Sequence, residues 1–579
     1  MSNFGPQTLA ADSLHALKYR GIGEDFREAM NRVAFGLKDS DKHYHDLRQI
    51  LLTQRFCPGG RIQGAMGASR ATTAFNCYVS GTIEDSFVEG SGSIMGRAKE
   101  AAATMRMGGG IGYDFSTLRP RGDMIRKLQS QSSGPVSFMH IFNAVCLATS
   151  SSGHRRGAQM GMLRVDHPDI EEFVRAKQNA TNLTGFNISV AITDKFMEAV
   201  YAEKPFDLTF QGSVYKTINA AELWEKIMRS TWDYAEPGVI FIDTVNKMNN
   251  LWYAETIAAT NPCGEQPLPP FGACLLGSFN LTKYLKPNLL DVIGQFGKYY
   301  FDMDQLLEDI PIVVRGMDNV IDRTLYPLAE QKAEALSKRR MGLGVMGLAN
   351  AGEACGHVYG SLEFLRFESA VLQAIKEGAY LASAQLAAEK GSFPLYDEER
   401  YLSGKFIQTL PDHVRSAIRK HGIRNSHLTS IAPTGTISLC ADNVSGGCEP
   451  VFAYELTRQI NTPTGPEMAT VTDYAAAYLG TRGKLASQVT AQEHIAVLAT
   501  AQKHVDSAVS KTVNMTSAMP WDAFKNLYRT AWESGCKGCA TFNSDGKRMA
   551  LLIAKDEEQA ADAVVCTMPD PITGQVECG

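Results

Sequence analysis

From about residue 60 to residue 545 the chain alternates short strand-like runs with longer helical ones, and this alternation limits the folds open to it. NISVAI (187–192), FDLTF (206–210), VIFID (239–243) and SHLTSIA (426–432) have strand character. Between such runs Leu223, Trp224, Ile227 and Met228 recur at helical spacing, and a helical pattern from about 361 to 390 stops at Gly391. Strands separated by helices predict an α/β fold with mostly parallel strands. Upstream, Phe26, Met30, Val33, Ala34 and Leu37 follow one helical face, and a second helix around Leu47, Ile50 and Leu51 runs into Cys57-Pro58-Gly59-Gly60. Residues 1–55 therefore read as a helical N-terminal region and 56–548 as the main domain, within a chain of 579 residues. Residues 549–579 are polar and turn-rich and read as a mobile tail, which carries Cys566 and Cys578.

No apolar run reaches the roughly 18–20 residues of a membrane span, and the start, MSNFGPQTLAADS, lacks a secretory profile; a cytoplasmic location is expected. A net charge of −5 with mixed signs argues against a nucleic-acid partner. Lys338-Arg339-Arg340 reads as a solvated helix end or a local anion contact. Twelve cysteines spread through a chain of this kind do not suggest a disulfide framework, so some should be buried fillers and others chemical.

The chemical candidates centre on NPCGEQPLPPFGACLLGSFN, residues 261–280. Prolines at 262, 267, 269 and 270 exclude a helix. In an extended chain Asn261, Cys263 and Glu265 would face one way, roughly 6–7 Å apart. Cys263 has no histidine nearby to make it a thiolate nucleophile, whereas a carboxylate two residues away favours the neutral thiol. Such a cysteine suits loss and return of a hydrogen atom, with Glu265 acting as a general base on a hydroxyl. Cys274 can pair across space with another cysteine to hold two electrons.

Other motifs point less sharply. Gly342-Leu343-Gly344-Val345-Met346-Gly347 fits the dinucleotide pattern, but the helix-forming AEQKAEALSKRR stands where a strand is required, so the glycines read as packing positions. Gly108-Gly109-Gly110-Ile111-Gly112 reads as a tight turn. Cys536 and Cys539 form a C-x-x-C without a second pair, and packing is the favoured reading over zinc. Pro433-Thr434-Gly435-Thr436 follows a strand-like run and is either a phosphate cradle at a helix start or a simple cap.

Taken in order, RFCPGGRIQGAMG, FNCYVSGTIEDSF, GGGIGYDFSTLRPRG, SSGPVSFMHIF, HRRGAQMGMLRVDHPDIEEF, FNISV, NPCGEQPL, RRMGLGVMGLAN, SIAPTGTIS, GCEPVFA and HVDSAVSKTVN resemble a ribonucleotide reductase catalytic subunit, most of all the adenosylcobalamin-dependent class II enzymes. The resemblance implies a ten-stranded α/β barrel of two parallel five-stranded halves, with the Cys263 loop as a central finger. It implies that Cys263 becomes a thiyl radical abstracting the ribose 3′ hydrogen. Glu265 would be the base at the 3′ hydroxyl, Asn261 a hydrogen-bond partner of the sugar, and Cys77 and Cys274 the reductant that becomes a disulfide. Cys566 and Cys578 would be the shuttle pair, regenerated by a thioredoxin-like or glutaredoxin-like protein, although their spacing departs from the closely spaced pair of many relatives.

Pro433, Thr434, Gly435 and Thr436, with Gly59, Gly60 and Arg61, match the substrate-phosphate site. Asp85 and Arg119 match positions that hold a dNTP or ATP effector. Arg155, Arg156, Gly157, Ala158, Gln159 and Met160 match the loop coupling effector to substrate base, and a homodimer is implied. Adjacent Tyr299-Tyr300 lies upstream of the phosphate loop and reads as packing. Downstream no adjacent tyrosine pair and no R-V-x-G-Y segment occurs, which favours cobalamin as the radical source, and the lack of a D-x-H-x-x-G motif is compatible with a class II enzyme that uses no protein histidine to ligate cobalt. The alternatives are a class I-like subunit needing a separate radical generator, and a zinc- or thiol-based regulatory binding protein on the same barrel.

Overall fold

The computed structural model describes residues 4–149, 158–179, 181–289, 297–462 and 465–547. Its N-terminal region holds three helices, Leu9–Tyr19, Phe26–Leu37 and Asp41–Leu52, each started by a side-chain cap from Thr8, Asp25 or Ser40. The first has too short an apolar pattern to stand out in the sequence. The second buries the expected Phe26, Met30, Val33, Ala34 and Leu37. The entry to the first helix is fixed at a distance, since the Asp442 carboxylate accepts from the N–H groups of Gln7 and Thr8, both at 2.9 Å.

Ten strands organise the rest: β1 (Phe56–Pro58), β2 (Cys77–Val79), β3 (Gly110–Asp114), β4 (Gln159–Arg164), β5 (Phe186–Ile192), β6 (Gly238–Phe241), β7 (Leu276–Asn280), β8 (Gly342–Met346), β9 (Thr512–Met515) and β10 (Gly538–Asn543). Seven form one sheet in the order β9-β10-β6-β5-β4-β3-β2. Within it β2 to β6 are mutually parallel, β10 is antiparallel to β6, and β9 is parallel to β10. A three-stranded sheet, β1-β7-β8, has β7 and β8 parallel and β1 antiparallel. Three isolated bridges link the sheets' edges: Tyr78 to Ala273, Leu343 to Thr429, and Ile431 to Val509. The long helices Met303–Arg323 and Leu362–Lys390 pack on each other, the latter capped by Ser361 and ended at Gly391, where φ is +80°. The α/β expectation holds.

Several local expectations change. FDLTF becomes the strand Pro205–Phe210, paired in a hairpin with Ser213–Asn219 outside the main sheet. VIFID is strand only to Phe241 and then helix. SHLTSIA contributes bridges rather than a full ladder. Gly108 turns at φ +94°, but Gly110 and Gly112 belong to β3. Gly342 to Met346 is itself a buried strand after the helix Ala329–Lys338, and a Cβ on Gly344 would lie 2.3 Å from the Ser430 carbonyl oxygen, so the motif is there for close strand packing. Tyr300 is exposed on a short hairpin rather than packed.

Lys338, Arg339 and Arg340 are not a solvated end: all three are buried and pair with Glu255, Glu334, Asp318 and Asp322. Paired carboxylates on neighbouring elements are what allow these cations to leave water. No helix among the described residues is long and apolar enough to cross a membrane.

Candidate functional site

Residues 261–266 form the tip of a hairpin whose stem is the antiparallel pairing of Ala259–Thr260 with Pro267–Leu268. The Asn261 N–H donates to the Gln266 carbonyl at 3.1 Å and the Asn261 Oδ1 accepts from the Gln266 N–H at 2.9 Å, which closes the tip. Gly264 turns at φ +81°, and its N–H donates to the Asn261 carbonyl. The backbone is thus curled, and the alternation of an extended chain does not apply. Asn261 and Glu265 are buried, whereas Cys263 is exposed.

The tip is seated by its neighbours. A Cβ on Gly112 would lie 1.8 Å from the Thr260 carbonyl oxygen, so only glycine lets β3 and the hairpin approach so closely. Asn187 Nδ2 donates to the Pro262 carbonyl at 3.1 Å. The Glu265 carbonyl accepts from Ser430 Oγ and from the Ala508 N–H, both at 2.9 Å. Asn261 Nδ2 is buried with no partner, an amide donor held ready for a ligand.

Cys77 on β2 and Cys274 come together beneath this tip. The Cys274 N–H donates to the Cys77 carbonyl at 2.8 Å, and the two side chains are hydrogen-bonded. Burial pushes the Cys274 thiol well above its ordinary value, and the hydrogen bond to Cys77 together with negative charge at Cys77, Glu265 and Cys263 pushes it further. A Cβ on Gly110 would meet both the Cys77 sulfur and the Pro262 ring, each at 3.2 Å, which ties the pair to the hairpin tip. Both cysteines pack in an apolar cluster with Val79, Met160, Leu268 and Leu276.

A cavity of about 650 Å³ opens above the tip, lined by Cys263, Gly264, Asn187, Met160, Pro433 and Gly435 among others. Thr434, at φ +56°, begins the five-residue helix Gly435–Leu439, and its Oγ1 accepts from the Gly447 N–H at 2.9 Å. Thr436 is half-buried on that helix. A Cβ on Gly435 would meet nothing within 4 Å, so this backbone is open to the cavity.

Gly59, Gly60 and Arg61 are not among the lining residues. Gly59 lies against the Leu276 carbonyl, Gly60 against the Tyr19 ring, and the Arg61 guanidinium against Gly108. Their approach to the helix is indirect, through Cys57, which packs with Ile437 and Ala441.

Asp85 and Arg119 are brought together as an ion pair, Nε to Oδ2 at 2.7 Å. Of the matched coupling loop, Gln159 and Met160 lie on β4, Gln159 accepting from the Tyr113 hydroxyl at 2.9 Å, and the Ala158 carbonyl accepts from the Ile111 N–H. Arg155, Arg156, Gly157, Cys566, Cys578 and the 549–579 tail lie outside the described residues. Cys536 and Cys539 are buried, with burial raising both thiols, and among the described residues no group of three or more His, Cys, Asp or Glu side chains is placed to hold a metal ion.

Two cavity residues went unassigned in the sequence. The Glu449 carboxylate accepts from Lys511 Nζ at 2.8 Å and from the Thr512 N–H at 2.6 Å, and both Glu449 and Lys511 line the cavity. They stand within GCEPVFA and HVDSAVSKTVN, but charges so far apart in the chain give no local sign of meeting.

Similarity to known proteins runs over most of the chain. The family model "Ribonucleotide reductase, barrel domain" matches residues 75–492 and 482–542. A vitamin B12-dependent ribonucleoside-diphosphate reductase of Mycobacterium tuberculosis is 36% identical over 82% of this chain and 68% of its own length. A protein of the same name from Thermoplasma acidophilum is 32% identical over 96% of this chain and 73% of its own length. The ribonucleoside-diphosphate reductase subunit alpha of Chlamydia muridarum is 28% identical over 73% of this chain and 45% of its own length. With a family match that spans most of the sequence and relatives 36% and 32% identical over 82% and 96% of it, the chain belongs to the ribonucleotide reductase family.

Proposed function

We propose that this chain reduces ribonucleotides to 2′-deoxyribonucleotides by a thiyl-radical route with adenosylcobalamin as the radical source. The observation that carries the reading is the contrast along the hairpin tip. Cys263 is exposed to the cavity while Asn261 and Glu265 are buried and Cys77 and Cys274 are hydrogen-bonded beneath. The cavity adjoins the one thiol that must meet the radical source, and the apolar Val451, Phe452, Ala453 and Leu456 on its wall suit an organic cofactor. When bound, the cofactor supplies a one-electron step that removes the hydrogen atom from Cys263.

From there the chain's own residues act. The Cys263 sulfur takes the 3′ hydrogen of the ribose and later returns it, and Glu265 holds the proton of the 3′ hydroxyl. Asn261 Nδ2 orients the sugar. The C2′–O bond breaks, its oxygen leaves as water, and a C2′–H bond forms. Cys77 and Cys274 give up two protons and two electrons and become a disulfide, which balances the reduction. Burial of Asn261, Glu265, Cys77 and Cys274 keeps water and stray reductants away from the base and the reducing pair.

The reading extends to the fold and the partners. The five parallel strands β2 to β6 form one half of a ten-stranded barrel, and β10, β9, the segment 428–431, β8 and β7 form the other. The antiparallel β6–β10 pairing and the Tyr78–Ala273 bridge support closure at the two seams. Residues 1–55 are a helical entry, 56–548 the barrel and 549–579 a redox tail. Pro433, Thr434, Gly435 and Thr436 take the substrate phosphates. Asp85 and Arg119 take a nucleotide effector in a homodimer, Cys566 and Cys578 relay electrons from a thioredoxin- or glutaredoxin-like protein, and the enzyme works in the cytoplasm.

The test is anaerobic reduction of a ribonucleoside diphosphate and a triphosphate with dithiothreitol, with and without adenosylcobalamin, for the wild type and Cys263→Ala. Cobalamin-dependent product that vanishes in the variant is expected. No product from the wild type with cobalamin and varied effectors would overturn the self-sufficient reading in favour of a subunit that needs a separate radical generator.

A further inference from the structure

Lys537 stands inside the Cys536–Cys539 stretch, for which the proposed chemistry has no use. It is 3% exposed, and it enters β10 where that strand meets β6, its carbonyl accepting from the Phe241 N–H at 3.0 Å. Its Nζ donates to two main-chain carbonyls, those of Asp506 and Ser507, the latter at 2.7 Å. A lysine side chain is long enough to reach water from most surface positions, and burying its ammonium is costly. One that points inward onto two carbonyls holds a segment in place.

That segment ends on the hairpin. Ala508, the next residue, donates its N–H to the Glu265 carbonyl at 2.9 Å. The same stretch is registered on residues 429–431 by the Ser507 N–H to the Thr429 carbonyl at 3.1 Å and the Ile431 N–H to the Ala508 carbonyl at 3.2 Å. The Asp506 carboxylate adds bonds from the N–H groups of Leu428 at 2.7 Å and Thr429 at 3.1 Å. Ser430 Oγ is the other donor to the Glu265 carbonyl, so both of its donors belong to this one clamped unit.

We propose that Lys537 is a positioning residue for Glu265: by clamping the Asp506 and Ser507 carbonyls it fixes the Ala508 N–H and, through it, the carboxylate that faces the substrate hydroxyl. The role of Glu265 rests on the proposed reductase reading, but the clamp does not. Lys537 needs no contact with substrate, so its removal should act on turnover and leave substrate binding alone.

The experiment uses the full chain with Lys537→Met and Lys537→Arg. Amide hydrogen exchange followed by mass spectrometry should show a peptide spanning 505–510 exchanging at least about tenfold faster in Lys537→Met, with peptides from the helix Leu362–Lys390 unchanged. In the cobalamin assay kcat should fall about tenfold or more at a KM within about twofold, and Lys537→Arg should recover most of it. Unchanged exchange at 505–510, or faster exchange across the whole barrel, would overturn the clamp whether or not the chain proves to be a reductase. Local exchange that rises while kcat stays at the wild-type value would overturn the link to Glu265.

Discussion

Gly112→Ala tests whether the seat of the hairpin tip sets the chemistry. The added Cβ would lie 1.8 Å from the Thr260 carbonyl oxygen and 2.9 Å from its carbonyl carbon. Both are backbone atoms, so no side-chain rotation relieves the overlap, and β3 and the hairpin stem must part by more than an ångström to regain van der Waals contact. Overpacking of this kind costs about 1–3 kcal/mol of stability, which a chain with so large a core survives. Displacing the stem carries Asn261, Cys263 and Glu265 with it, and a misplacement of about 1 Å costs on the order of 100-fold in rate. Gly64 is the control, since a Cβ there meets nothing within 4 Å and the residue lies in the helix Gly60–Ala65. Turnover and urea unfolding of both variants give the answer. Gly112→Ala should lose about 100-fold in kcat with a modest drop in the unfolding midpoint, and Gly64→Ala should keep full turnover. Wild-type turnover in Gly112→Ala would refute the claim that this close approach positions the reacting residues.

Single-turnover reaction without external reductant, followed by alkylation and peptide mapping, should find Cys77 and Cys274 joined in one disulfide; the same two thiols still free after product has formed would remove them from the chemistry. Glu353 offers a pH test: burial, with the charge of Asp473 adding, raises its carboxyl to about 7 despite hydrogen bonds from the N–H groups of Lys484 and Tyr359. Because the folded state holds the proton more tightly than the unfolded one, this stabilisation is complete below about pH 4.5 and is lost as pH rises through 7, to the extent of about 3 kcal/mol. Urea unfolding at pH 5 and pH 8 should show Glu353→Gln with a flatter dependence than the wild type, and parallel dependences would count against it.

How much of this was legible depends on whether a feature is local. Helical faces such as Phe26 to Leu37, the Gly391 stop and the unhelical 261–270 segment follow from neighbours in the chain, and they stand as expected. The directions of Asn261, Cys263 and Glu265 did not, because strand alternation assumes an extended chain and Gly264 bends it. Lys338, Arg339 and Arg340 read as a solvated helix end or a local anion contact because, Glu334 apart, the carboxylates that pair with them, Asp318, Asp322 and Glu255, come from other parts of the chain. Glu449 and Lys511 escaped for the same reason. Gly110 and Gly112 looked like a turn since three glycines in a row signal one, yet their reason for being glycine is a hairpin some 150 residues away in sequence.

The contrast among the thiols gives a last test. Of the ten described cysteines only Cys263 is exposed. Burial raises Cys57, Cys355 and Cys536 to about 12 and Cys146 to about 11, so at neutral pH almost none of these is thiolate, and packing blocks a reagent as well. Access separates Cys263 from the rest. In a Cys566→Ser/Cys578→Ser background, a short iodoacetamide pulse at pH 7.5 should alkylate Cys263 at least about tenfold faster than any of the other described cysteines. Cobalamin-dependent turnover should fall in step with that one modification when dithiothreitol is the reductant. If Cys355, which is half-buried, or Cys146 reacts as fast as Cys263, the hairpin tip does not open to the cavity in solution. If Cys263 is fully alkylated while turnover persists, it cannot be the hydrogen-abstracting residue, whatever its place in the fold.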